Sequence, residues 1–106
     1  MATRVYELMV IVDQDVDDAT GKGLIQRVKE MIEEGGGSVP TVDHWGRRRF
    51  AYPINRKHEG VYSVLEIVTD APNLDDVDRF LRLADEVVRH KLIRLPDSEA
   101  VRRGLL

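Results

Sequence analysis

The spacing of apolar residues along the chain switches between a period of two and a period near 3.6, and each switch marks the edge of an element. Residues 5–12 are apolar on both alternating sets: Leu8, Val10 and Val12 on one face, Val5, Met9 and Ile11 with Glu7 on the other. A strand that is apolar on both faces belongs in the middle of a sheet. After a polar turn at 13–18, Leu24, Ile25, Val28, Met31 and Ile32 recur at helical spacing until Gly35-Gly36-Gly37 stops them. Gly21 and Gly23 weaken the first turn of that helix. A second strand is expected over 38–52. Pro40 lies near its start and Pro53 at its end, and because proline cannot donate a ladder hydrogen bond the strand should lie at an edge.

Residues 55–60 read as a polar connection, and 61–68 as the third strand of a long hairpin. Its alternating sets are Val61, Ser63, Leu65, Ile67 and Tyr62, Val64, Glu66, Val68. Burying a serine costs far less than burying a carboxylate, so the first set is assigned to the core. Asp70-Ala71-Pro72 breaks the strand, and Asn73 is suited to cap a helix carrying Leu74, Val77, Leu81 and Ala84. Asp75, Asp76 and Asp78 suit the positive end of that helix. A last strand over 87–95 stops at Pro96, and the charged tail is expected to fray.

The order β-α-β-β-α-β matches a ferredoxin-like split β-α-β fold of the α+β class: a four-stranded antiparallel sheet with two helices on one face. Residues 1–96 would form that single domain and 97–106 a C-terminal tail. The opposite sheet face is left open, and it would carry Val5, Met9, Ile11, Tyr62 and Val64, the candidate surface for a protein partner.

Composition then excludes several kinds of chemistry. The chain has no cysteine, so disulfides and thiolate metal sites are out, and a cytosolic location fits. It has no apolar run long enough for a membrane span, and Glu7 within the first apolar stretch argues against a secretory signal. The turn Asp13-Gln14-Asp15-Val16-Asp17-Asp18 begins like a calcium loop but lacks its sixth-position glycine and twelfth-position glutamate. His44, His58 and His90 have no ligand-spaced partners, and no serine sits in a nucleophile elbow. No enzyme activity, cofactor, metal or small-molecule substrate is expected.

Charge changes the picture in one place. In a chain of formal net charge −3, the segment Trp45-Gly46-Arg47-Arg48-Arg49-Phe50-Ala51-Tyr52 sets three arginines among aromatics. Guanidinium forks match phosphate oxygens, and flat rings can carry bases. Composition alone leaves an RNA-facing strip level with an ordinary amphipathic strand whose arginines are solvated. Alternation puts Arg47 and Arg49 on one side of the strand and Arg48 on the other, unless the strand bulges, and Gly46 is the natural place for a bulge. Arg56-Lys57-His58 would extend the positive region, whereas Arg82, Arg89, Lys91 and Arg94 read as dispersed solvated charges. The third strand lacks the Gly-Phe-aromatic signature of RRM domains, so stacking of that type is unsupported.

Several blocks together resemble the bacterial ribosomal small-subunit protein six family. They are Tyr6-Glu7-Leu8-Met9-Val10-Ile11-Val12-Asp13, Gly36-Gly37, the strip through Tyr52-Pro53-Ile54, Glu59-Gly60-Val61-Tyr62, Leu81-Arg82-Leu83 and Val87-Val88-Arg89. The likeness runs in order over residues 4–95, and Gly46-Arg47-Arg48-Arg49-Phe50-Ala51-Tyr52-Pro53-Ile54 is its most specific part. It implies a non-enzymatic protein of the cytoplasmic ribosome. It further implies binding to the central domain of small-subunit ribosomal RNA together with small-subunit ribosomal protein eighteen, and so a role in translation and subunit assembly. Carried over by position, Arg48 and Arg49 match the family's paired arginines and Tyr52 its tyrosine. Trp45, Arg47 and Lys57 complete the expected RNA-binding set. The tail lacks the acidic run of some members. A different reading, a free-standing module that oligomerises through its open sheet face, predicts no affinity for ribosomal RNA.

Overall fold

The computed structural model describes residues 3–106. Strands β1 (Arg4–Asp13), β2 (Ser38–Ile54), β3 (Lys57–Thr69) and β4 (Val87–Arg94) form one sheet in the order β2-β3-β1-β4, with every neighbouring pair antiparallel. Helices α1 (Asp18–Glu34) and α2 (Asp75–Leu83) connect them. This is the ferredoxin-like split β-α-β arrangement expected from the sequence. β1 is central, as its two apolar sets require, and β2 with its prolines lies at the edge.

The core lies between the sheet and the two helices. Leu8, Val10 and Val12 of β1 and Leu65 and Ile67 of β3 meet Ile25, Val28, Val77 and Leu81 of the helices, all buried. Ser63 is also buried, and His44 Nδ1 lies 2.9 Å from its hydroxyl, which meets the cost of placing a serine there. The Asp17 side chain accepts the Thr20 N–H at the start of α1. At α2 the expected cap moves by one residue: Leu74 holds the cap position, and Asn73 Oδ1 accepts the Asp75 N–H from just outside.

Two expectations are overturned. The polar stretch 55–60 is not a loop, because β2 and β3 continue pairing to Ile54 and Lys57 and only Asn55 and Arg56 form the turn. Both have positive φ, 49° and 66°, the backbone that a two-residue hairpin of matching twist demands and that arginine adopts poorly. The tail is not frayed either. Asp97–Arg102 forms a third helix, α3, on the face opposite α1 and α2, and its Ala100 is fully buried against Val5 and Leu95, with Val68 and Leu105 alongside.

A charge-divided sheet face with an exposed arginine strip

The strand register lays the face away from α1 and α2 out in four rows running across the sheet. At the end near α3, Val5 pairs with Val68 and the Leu95 N–H donates to the Val5 carbonyl. Val5 is 1% exposed, so α3 removes it from any partner surface. In the next row Ile93, Glu7, Glu66 and Thr41 lie side by side. Two carboxylates directly opposite each other would repel, and Arg103 settles them, with Nη1 3.0 Å from Glu66 and Nη2 3.6 Å from Glu7. The bond to Glu66 is the main cause that raises the Arg103 pKa above its ordinary value. Thr41 Oγ1 donates a second bond to Glu66 at 2.7 Å.

The third row is Lys91, Met9, Val64 and Asp43, and the fourth, nearest the hairpin, is Arg89, Ile11, Tyr62 and the Trp45-Gly46 pair. The apolar surface expected here is smaller than alternation suggests. Ile11 and Val64 are buried, at 2% and 8% exposure, and Phe50 and Tyr62 stand beside Ile11 on this face. Of the expected partner residues only Met9 and Tyr62 keep part of their surface.

The ladder shifts between His44 and Gly46, where φ is +87°. Here two residues of β2 face the single Tyr62, a bulge that only glycine accommodates without strain. Its consequence is the direction of Trp45. His44 points to the helix side and meets Ser63, whereas Trp45 lies on the open side and stacks on Tyr62, ring centroids 6.3 Å apart and planes 6° apart. Its indole Nε1 donates to Asp43, and Phe50 meets Tyr62 edge-on. The Arg48 guanidinium lies 5.7 Å from the Trp45 ring centroid, within cation–π range. The side chain is thereby held with its donors still turned to solvent.

The expected RNA-binding residues divide into two groups. Arg48, Arg49 and Tyr52 are exposed, Tyr52 by 68%, and no ion pair among the described residues involves either arginine. Arg47 is engaged with Glu59 at 3.3 Å and with the Gln14 carbonyl. Lys57 bridges Asp13 and Asp15 at 3.3 and 3.1 Å. Its bond to Asp15, then that to Asp13, raises its pKa. The Asp13 carboxyl is held below its ordinary value first by the Asp15 N–H and also by Lys57, against a smaller opposing effect of burial. These two cations fasten the hairpin to the end of β1. Sequence reasoning passed over Arg89 and Lys91, which register places beside Ile11 and Met9 on the same face as Arg48. Strict alternation along 87–94 carries that signal.

Comparison with known proteins places these features. Residues 5–94 match the family described as Ribosomal protein S6. A small ribosomal subunit protein bS6 from Carboxydothermus hydrogenoformans is 44% identical over 91 residues, covering 86% of this chain and 95% of the relative. The bS6 of Beutenbergia cavernae is 44% identical over 95 residues, covering 90% and 98%. Among solved structures, the 30S ribosomal protein S6 of Thermotoga maritima superposes with a TM-score of 0.88 at 35% identity, covering 97% of each chain. The P2 domain of a chemotaxis kinase, solved with a response regulator, reaches 0.57 at 11% identity, a likeness of fold alone.

Proposed function

The chain belongs to the ribosomal protein S6 family, and from that premise we propose that it binds the central domain of small-subunit ribosomal RNA jointly with small-subunit ribosomal protein eighteen. Membership makes it a structural constituent of the bacterial small ribosomal subunit, at work on the cytoplasmic ribosome, and not an enzyme.

The observation that carries the finer reading is the pair Arg48 and Arg49 with Tyr52 on the outermost strand. All three are exposed, and Arg48 is steadied over Trp45. An RNA backbone can approach an edge strand without displacing other parts of the sheet. A guanidinium held by an aromatic ring loses little further freedom when it meets a phosphate. Arg47 and Lys57 have a different part in this reading: their carboxylate partners tie the hairpin down, so they support the strip and contribute to the field. Met9 and Tyr62 are the partner-facing apolar residues that remain accessible.

The test is binding of a central-domain RNA fragment with and without the partner protein. Arg48→Ala with Arg49→Ala should weaken the ternary complex and make its salt dependence shallower by about two phosphate contacts. Thermal stability should barely change, because neither side chain forms an ion pair among the described residues. A large fall in melting temperature with unchanged RNA affinity would make these arginines structural and overturn the reading.

A further inference from the structure

On the open sheet face a trough of about 310 Å³ runs between the hairpin arm and β4. Its floor is Met9 and Ile11, and one wall is Phe50 and Tyr62. Arg89 and Lys91 of β4 stand along its other side. Neither of these two cations takes part in an ion pair among the described residues. Of the carboxylates on this face, Asp43 lies on the far edge strand and accepts the Trp45 indole N–H, and Glu7 and Glu66 lie farther along the strands and are engaged by Arg103.

We infer that this trough is a nucleotide subsite for an unpaired residue of the RNA, with the base against the Phe50 and Tyr62 wall and its phosphate between Arg89 and Lys91. The inference rests on the RNA-binding reading above and assigns Arg89 and Lys91 to it. Two unpaired cations beside an apolar floor select a ligand that is flat and apolar at one end and anionic at the other. A nucleotide has that shape of charge, and bases gain from contact with aromatic side chains whatever their sequence. A basic protein segment is repelled by the same two cations, so it is directed to the Glu7 and Glu66 end of the face. Such a site suits a base splayed out of a loop or bulge, the form in which RNA is most often read.

The full-length chain and its partner, titrated with the central-domain RNA fragment over a range of salt, test this. Arg89→Ala with Lys91→Ala should weaken RNA binding about tenfold near 0.1 M salt and make the salt dependence shallower by about two, with an unchanged melting temperature. Phe50→Leu keeps apolar volume but removes the flat wall, and it should cost about fivefold with the slope unchanged. If wild type binds while the Arg89 and Lys91 variant keeps both affinity and slope, the subsite is wrong and the wider RNA-binding reading stands. If that variant loses only the protein partner, the trough is a protein-docking surface and the inference falls. If wild type fails to bind the fragment with the partner present, the wider reading falls and takes the subsite with it.

Discussion

Gly60 and Gly23 should answer the same substitution with opposite signs, because only their surroundings differ. Gly60 lies in β3 opposite Arg48 of β2 and Asp13 of β1, and it is buried. A Cβ there would stand 2.4 Å from Ile11 Cγ2, 3.0 Å from Phe50 Cζ and 3.2 Å from the Val12 carbonyl oxygen, where ordinary contact begins at 3.4 Å. Ile11 is held between neighbouring strands and the Val12 oxygen is backbone, so neither can step aside without opening the sheet. Overpacking of this kind costs about 1–3 kcal/mol, and the case belongs near the top of that range. The entropy that alanine removes from the unfolded chain returns about 0.5–1 kcal/mol. Gly60→Ala should therefore lose about 2 kcal/mol, which lowers the melting midpoint by roughly 8 °C in a chain of this length. Gly23 sits exposed in α1, and a Cβ there meets nothing within 4 Å. Gly23→Ala should instead raise the midpoint by roughly 3 °C through helix propensity alone. Thermal melts followed by circular dichroism, with both variants at one protein concentration, read the two shifts. Were Gly60→Ala as stable as wild type, the close approach of Ile11 and Phe50 would be wrong, and with it the floor and wall of the trough.

Two further outcomes are expected. Gly46→Ala puts a side chain where φ is +87°, a cost of about 1–2 kcal/mol, and it should loosen the bulge that turns Trp45 onto Tyr62. Trp45 is the single tryptophan, so its emission should shift to the red, and an unchanged spectrum would show that the stack does not need the bulge. The folded-state pKa of Asp13 is depressed below 3.8, so its contribution to stability is present above that value and is lost as the pH falls through the folded value. Asp13→Asn should accordingly lower the melting temperature near neutrality, with a gap from wild type that closes as the pH drops below about 4. A gap independent of pH would mean that the carboxylate charge contributes nothing.

Sequence pattern reaches as far as local information extends. Apolar residues on both sides of 5–12 were enough to place β1 in the centre, and Pro40 and Pro53 to place β2 at the edge, because each follows from what a single strand can hydrogen-bond or bury. The split of Arg48 from Arg47 and Arg49, and Gly46 as the place for a bulge, were legible for the same reason. The third helix was not legible. Half of its six residues are charged, and what holds it is Ala100 against Val5 and Leu95 with Arg103 on Glu7 and Glu66, contacts that appear only once β1 and β3 are side by side. Residues 55–60 looked like a loop because they are polar, yet a hairpin arm beyond the helices is largely exposed up to Gly60 and has little need of apolar side chains. The ion pairs that occupy Lys57 depend on where β1 ends relative to the hairpin, a matter of register that no local pattern contains.

That an acidic chain should bind RNA follows from where its charges are used. The 19 acidic residues exceed the 16 lysines and arginines, but many of them serve the fold. Asp17 caps α1, Asp75, Asp76 and Asp78 sit at the positive end of α2, and Asp18 and Glu34 pair with cations of their own helix. Glu7, Glu66 and Glu99 gather around Arg103. What is left without an ion pair on this sheet face, among the described residues, is Arg48, Arg89 and Lys91, all toward the hairpin. Screening shortens the reach of charge to about 10 Å at 0.1 M salt. A phosphate at the hairpin end therefore responds to these three cations and hardly to the net charge of −3. The acidic end, where Arg103 is the counter-charge on Glu7 and Glu66 among the described residues, repels the same phosphate and attracts a basic protein. One sheet face can thus orient two ligands of opposite charge with respect to each other, and the strand register that aligns the four rows fixes the distance between them.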